Sequence, residues 1–353
     1  MSVSNILIGV VFGGKSGEHN VSINSALTVI DALKEAGNAS RYDIFPIYID
    51  LKGRWWDSEV AQKALNKESA LEEDDLPLVS SEEGLNSLPE GHENIDIWFP
   101  VLHGPNGEDG SVQGLFQLIN KPFIGSGVLG SALGMDKIAM KSAFKAAGLP
   151  QVNYIAAYRQ ELRTKNLLKD ILNKVENNLQ YPLFIKPANL GSSVGITKAK
   201  NQKELIEGLI KASELDKRMI IEEGIIAREL ECAVLGHQEM MISEIGEIDC
   251  KSEWYDYKAK YLNNLATSII PAKIPVRIKK EIQNLSIRAC QSICVYGIAR
   301  VDFFYDEINE KIFINEINTL PGFTKQSMYP RLWAATGIPL AELVAHLVET
   351  AQK

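Results

Sequence analysis

Residues 186–196 read KPANLGSSVGI. A lysine closes an apolar run, a loop of small residues follows, and a second apolar run begins. Gly and Ser let backbone N–H groups approach anionic oxygens closely, and the adjoining lysine adds a point charge. The same letters also spell an ordinary hairpin, strand, Gly-Ser turn, strand. Whether the loop grips phosphate or merely turns the chain is decided by its surroundings.

Working outward, the chain opens with ILIGVVF, a continuous apolar run suited to a buried parallel strand. GGKSGEHN and the helical spacing of VSINSALTVIDALKEAG follow, and strand, glycine turn, helix begins an α/β unit. YDIFPIYID and IDIWFPVLHG read as further strands, and this first α/β domain is expected to end near Gly125. The acidic stretch 66–94, with EEDD and SSEEG, reads as a solvated loop with little chemistry. GSALGMDKIAMKSAFKAAGLP reads as one helix leading into the segment around KPANLGSSVGI. Beyond it, RMIIEEGI, ELECAVLGH, EMMISEIGEIDC, ARVDFFYD and KIFINEIN outnumber the helices, which points to α+β architecture with antiparallel sheets.

At 353 residues and 45% hydrophobic, the chain is long enough for two or three domains. The longest apolar runs fall short of the roughly 20 residues a membrane helix needs, and the N-terminus lacks the marks of a signal peptide, so a cytoplasmic location is expected. A net charge of -8 with no basic stripe argues against nucleic acid as a partner. Four cysteines, at 232, 250, 290 and 294, do not fit a disulfide framework. Cys290 and Cys294 are expected on one helix face, as plain core residues.

ARVDFF puts Arg300 and Asp302 on one face of a strand, and FINEIN does the same for Glu316 and Asn318. Two acids and an amide among apolar neighbours are ligands Mg²⁺ prefers, although a structural Asp–Arg pair with a solvent-facing Glu would read the same way. IIEEGIIARELECAVLG sets Glu222, Glu223 and Glu229 between apolar runs, either to meet a nucleotide or simply to be solvated.

Taken in order, GGKSGEHNVS, PVLHGPNGEDGSVQG, MDK, FIKPANLGSSVG, RELECAVLG, YDYKAKY, ARVDFF and NEINTLPGFTKQSMYP closely resemble the D-alanine, D-alanine ligases of the ATP-grasp superfamily, over nearly the whole chain. The resemblance implies an ATP-grasp fold with an N-terminal parallel α/β domain over 1–125, a central subdomain over 126–221, and a C-terminal catalytic domain over 222–353. It implies ATP-dependent joining of two D-alanine molecules through a D-alanyl phosphate, for peptidoglycan precursors, with two Mg²⁺ or Mn²⁺ ions and a homodimer. The loop of residues 186–196 would then be the phosphate loop.

By the same resemblance, Lys137 and Lys186 hold ATP phosphates, with Gly191, Ser192 and Ser193 closing over them. Glu222 and Glu229 meet adenine and ribose, and backbone near Glu223 and Ile225 contacts the base. Asp302, Glu316 and Asn318 ligate the metal ions, and Arg300 stands beside the reacting phosphoryl group. Glu18 binds the ammonium of the first D-alanine, close to His103, and joins Ser192 and Tyr261 in a hydrogen-bonded triad. The Gly322 amide serves the oxyanion, Ser327 and Met328 meet the second carboxylate, and YDYKAKYLNN forms a lid. Asn20 departs from the Glu found in HEVS in many members. A ligase for D-lactate or D-serine, another ATP-grasp ligase, and a nucleotide-binding module without catalysis are the rival readings; Tyr261 and QSMYP favour D-alanine.

Overall fold

The computed structural model describes residues 5–35, 37–77, 84–250 and 266–352. Its first sheet is built on β1 (Ile6–Gly13), which pairs in parallel with β2 (Tyr42–Ile49) and β4 (Ile97–Val101), while β3 (Trp55–Trp56) adds an antiparallel edge. Parallel strands need helical crossovers, and the burial of both sheet faces explains the unbroken apolar run of β1. Helix α1 (His19–Lys34) supplies the first crossover and buries Ile23, Ala26, Val29, Ile30 and Leu33 on one stripe. After α2 (Ser58–Lys67), the acidic stretch is not merely solvated: Glu73 bonds the guanidinium of Arg54, which also pairs with Asp50 at 2.6 Å, and Asp75 pairs with Lys67 at 3.0 Å.

The single helix expected over residues 130–150 is parts of two helices. After α3 (Ser111–Leu118) come α4 (Val128–Met135) and α5 (Lys137–Ala146), separated by Asp136 in extended backbone. The Asp136 carboxylate accepts from the N–H groups of Ile138 and Ala139, so an N-cap replaces helix continuation and makes Lys137 the first residue of α5.

A second sheet, in the order β5 (Tyr154–Tyr158), β8 (Arg218–Glu223), β6 (Leu183–Pro187), β7 (Thr197–Ala199), is antiparallel throughout. Its outer face packs Ile155, Leu183, Ile185 and Ile221 against α6 (Lys165–Asn178) and α7 (Gln202–Leu215). A third antiparallel sheet runs β11 (Ala266–Ile269), β10 (Met241–Cys250), β9 (Arg228–Gly236), β12 (Gly297–Asp306), β13 (Lys311–Asn318). Leu230, Cys232, Val301 and Phe303 on its outer face pack against α8 (Val276–Ser292) and against Met140 and Phe144 of α5. Two helices, α9 (Met328–Thr336) and α10 (Leu340–Ala351), carry the chain back onto the core of the first sheet.

Cys290 lies in α8, but Cys294 falls beyond the end of that helix with a left-handed φ of 56°, so the two do not share a helix face. Burial pushes the thiols of Cys232 and Cys290 up, that of Cys232 to about 12, as befits inert core residues.

Candidate active site

KPANLGSSVGI is a hairpin and faces a cleft as well. Its Lys186 and Pro187 close β6, its far end leads into the antiparallel β7, and the intervening loop borders a cleft of about 1670 Å³. The N–H of Lys137 donates to the Ala188 carbonyl at 3.0 Å, and Lys137 Nζ donates to the Leu190 carbonyl at 2.8 Å. Helix α5 thus holds the first turn of the loop. Farther along, Ser192 and Ser193 adopt φ of 51° and 57°, and the buried Ser192 Oγ has no hydrogen-bond partner among the described residues. Non-glycine residues in this region carry strain, and a buried unpaired hydroxyl adds to it.

Every sequence-predicted site residue except Tyr261 lines this one cleft. Tyr261 and the expected lid, residues 255–264, lie outside the described residues. On one wall stands Glu18, at the start of α1; a Cβ placed on Gly191 would lie 3.5 Å from its carboxylate. Gly13 reaches a φ of +95° in the turn before it, donates its N–H to Ser22 Oγ at 2.8 Å, and Ser22 donates onward to the Val101 carbonyl. His19 Nδ1 donates to the Gly14 carbonyl at 2.7 Å, which leaves Nε2 to accept from the Tyr48 hydroxyl at 3.0 Å. Burial pushes the His19 imidazole down in pKa, in keeping with a neutral ring.

The third sheet forms the floor. Glu231 of β9, Asp302 of β12 and Glu316 of β13 stand in register across three strands. Like charges directly opposite one another are destabilising, and here cations intervene. The Arg300 guanidinium donates to both Asp302 oxygens at 2.7 Å and lies 3.0 Å from Glu231, while Lys137 Nζ lies 3.8 Å from Glu316. Burial opposes the charge on Arg300, yet Asp302 and Glu231 together hold its pKa well above the usual range. A bulge skips Asn315, so Ile314 packs into the core while Glu316 and Asn318 turn to the cleft. Asn318 donates to Asp302 at 2.9 Å. Side-chain oxygens of Asp302, Glu316 and Asn318 are a donor set that suits a hard divalent cation. Among the described residues, no three acidic, His or Cys side chains are gathered tightly enough to hold one, and Asp302 is paired with Arg300.

Glu222 stands differently from the expectation of a base-contacting side chain. It is 2% exposed, and its two oxygens are divided between Lys141 at 2.9 Å and Lys186 at 2.5 Å. Burial alone would raise its pKa, but the two lysines pull it down to about 2. Glu223 directs its carboxylate to Asn153 and the Gln180 N–H, both at 2.8 Å, leaving backbone as its contribution to the cleft. Met328, at the start of α9, is buried in the core and also lines the cleft. Ser327 Oγ bonds Thr324 Oγ1 at 2.8 Å, and a Cβ on Gly322 would come within 2.8 Å of that oxygen.

Sequence reasoning missed three polar residues. Lys141 could have been found one turn after Lys137, and Glu231 two positions after Glu229, by periodicity alone. Glu108 carried no such signal. It accepts from the Gly104 N–H at 2.7 Å and the Leu320 N–H at 3.4 Å, and His103 Nδ1 donates to the Leu320 carbonyl at 3.1 Å, so both residues tie the loop before Gly322 to the first sheet. Burial, reinforced by the neighbouring Glu18, lifts the Glu108 carboxyl to about 8.

Comparison with known proteins agrees with this geometry. The family models for the D-ala D-ala ligase N-terminus and C-terminus match residues 7–126 and 143–349. Proteins named D-alanine–D-alanine ligase from Prochlorococcus marinus and a Synechococcus strain are 57% and 55% identical, over 98% and 100% of both chains. Among solved structures, a D-Ala:D-Ser ligase from Enterococcus faecalis superposes with a TM-score of 0.81 at 34% identity, over 99% of this chain and 100% of the other. The D-alanine-D-alanine ligase of Coxiella burnetii superposes with a TM-score of 0.78 at 32% identity, covering 99% and 94%. With both halves matched and its relatives aligned end to end, the chain belongs to the D-alanine–D-alanine ligase family, and its two antiparallel sheets around a cleft are the ATP-grasp architecture of that family.

Proposed function

We propose that this protein joins two molecules of D-alanine at the expense of ATP, through a D-alanyl phosphate, for peptidoglycan precursor synthesis. The observation that carries the reading is the meeting, in one cleft, of three basic side chains, Lys137, Lys186 and Arg300, with the oxygen donors Asp302, Glu316 and Asn318, opposite Glu18.

A carboxylate is a poor electrophile, so amide formation requires activation. The first D-alanine is oriented by Glu18, which pairs with its ammonium, and its carboxylate attacks the γ-phosphate of ATP, breaking the bond to the bridging oxygen so that ADP leaves and D-alanyl phosphate forms. Lys137 and Lys186 hold the phosphates while Arg300 offsets the charge that spreads over the phosphoryl oxygens. Asp302, Glu316 and Asn318 would hold Mg²⁺ or Mn²⁺, which neutralises phosphate charge when bound. The amine of the second D-alanine then attacks the acyl phosphate; the tetrahedral oxyanion accepts from Arg300 and the Gly322 N–H, and phosphate leaves. Ser327 and the N–H at the start of α9 suit the second carboxylate. Positioning and charge compensation dominate this chemistry, which fits a site with many cations and few unpaired bases.

We also read three domains, with divisions near Gly125 and at the end of β8, since each sheet is complete within one such span. Residue 221 falls inside β8, so the second division belongs after Glu223. A homodimer working in the cytoplasm, without nucleic acid or membrane partners, completes the proposal. Its net charge of -8 supports the part concerning nucleic acid. Among the described residues no helix is long and apolar enough to cross a membrane.

D-Serine as second substrate is the one competing reading with an observation behind it, the superposition on a D-Ala:D-Ser ligase. The higher identity to proteins named for D-alanine favours the first reading. Product analysis with ATP, Mg²⁺ and D-alanine, in competition with D-serine, D-lactate and L-alanine, tests both. Release of ADP dependent on D-alanine, with D-alanyl-D-alanine as main product, is expected. A mixed product in excess, or ADP release indifferent to D-alanine, would overturn the assignment.

A further inference from the structure

Lys186 does not meet the cleft as a simple lysine. Behind it, Glu222 holds a second ammonium, that of Lys141, which is 1% exposed and, unlike Lys186 and Glu222, does not line the cleft. Lys141 lies four residues after Lys137 on α5, so one helix face sends one lysine into the cleft and the next beneath its wall. The Gln151 amide fixes the Lys141 carbonyl at 2.9 Å, and the ring of Tyr154 lies 5.9 Å from its Nζ. Burying an ammonium is costly unless it is paired, and among the described residues its one ion-pair partner is a carboxylate already engaged by another lysine. Burial and the adjacent Lys186 push the Lys141 pKa down, against the pull of Glu222.

The arithmetic of charge gives this arrangement a purpose. A lone Lys186–Glu222 pair would be neutral, with both carboxylate oxygens free to fold onto the lysine that must greet an anion. Two lysines on one carboxylate leave one net positive charge, and the ammonium nearer the cleft is the one able to present it. We propose that Lys141 is a positioning residue for nucleotide binding: by claiming one oxygen of Glu222, it keeps Lys186 oriented and its charge available to ATP. The inference rests on the reading of Lys186 as a nucleotide ligand and deepens it.

The experiment is calorimetric titration of the full-length enzyme with Mg-ADP, which needs no turnover, together with steady-state KM values for ATP and D-alanine. Lys141→Met keeps the unbranched chain and deletes the charge. It is expected to weaken ADP binding and raise the ATP KM roughly tenfold, leaving the D-alanine KM within about twofold. Lys141→Arg, which keeps the charge, is expected to recover most of that loss. Should Lys141→Met fail to fold, Lys141→Gln retains a donor for Glu222 without the charge and is expected to give the same weakening. Coupling decides whether Lys141 acts through Lys186: adding Lys141→Met to Lys186→Ala is expected to cause no further loss. ADP binding unchanged in a folded Lys141→Met or Lys141→Gln protein, with only its melting temperature lowered, overturns the proposal and leaves a purely structural ion pair. Fully additive losses overturn it too. If Lys186→Ala alone binds ADP like the parent, the failure lies instead in the assignment of Lys186.

Discussion

Two glycine turns meet at Glu18, and they are built on opposite principles. The turn after β1 is saturated: Gly13, Gly14, His19 and Ser22 all find partners in strand ends or in Tyr48, and a Cβ on Gly13 would lie 2.1 Å from the Ile49 carbonyl oxygen. The loop after β6 is anchored at its start by Lys137 and Asp216, but beyond Leu190 it holds two serines in left-handed backbone and leaves the Ser192 hydroxyl without a partner among the described residues. One turn is finished by folding and presents a fixed carboxylate. The other keeps bonding capacity in reserve, and its Gly191, Ser192 and Ser193 line the cleft. Strain and unsatisfied groups cost stability, so their concentration in one loop and their absence from the other marks where binding is expected to complete the structure.

The contrast can be broken most forcefully at Gly13. Gly13→Ala adds a backbone clash to an unfavourable φ, and should cost about 3 kcal/mol or more. Urea denaturation that left the midpoint where it was would remove the claim that this turn is fully constrained.

A second test concerns the fixed carboxylate of Glu18 and its neighbour Glu108, whose carboxyl is lifted to about 8 from an ordinary 4.5. Between these values the folded protein keeps a proton that the unfolded chain has released. The contribution is therefore fully present below about pH 4.5 and is lost as pH rises towards about 8. Glu108→Gln cannot titrate and retains an acceptor for Gly104, so its stability should decline less steeply between pH 5 and pH 8. Parallel pH profiles of the urea midpoint in parent and variant would refute the assignment.

Gly191→Ala sharpens the comparison from the other side. Gly191 has no left-handed backbone to protect, and among the described residues the added methyl would meet only the Glu18 carboxylate, 3.5 Å away. Thermal stability should move by no more than about 0.5 kcal/mol, while the KM for D-alanine should rise on the order of tenfold. A variant that lost stability but bound substrate normally would contradict it.

Ser192→Ala carries the smallest effect on folding. Deleting a buried hydroxyl that has no partner among the described residues should leave stability unchanged or raise it by up to about 1 kcal/mol, with turnover falling by roughly tenfold or less. If melting and turnover both decline together, the hydroxyl is a structural group and the loop is no reserve.

Much of this organisation was legible before any coordinates. The order of motifs, the apolar run of β1, and the i, i+2 spacing of Arg300 with Asp302 and of Glu316 with Asn318 are local, and local spacing is what periodicity reads. Harder to see was Glu108, which bonds Leu320 across 212 residues, or the helix break at Asp136, where a cap competes with an equally plausible continuation.

The sequence by itself determined the element types, the parallel and antiparallel halves, the family, and most residues of the cleft, because side-chain alternation and motif order survive in one dimension. Tertiary structure alone decided which charges answer one another. The bulge at Asn315 turned Glu316 and Asn318 from the core face to the cleft, and the packing of α5 between two sheets placed Lys141 against Glu222. A charge is tolerable in an interior only where a partner from another element meets it, and that meeting is fixed by packing rather than by spacing along the chain.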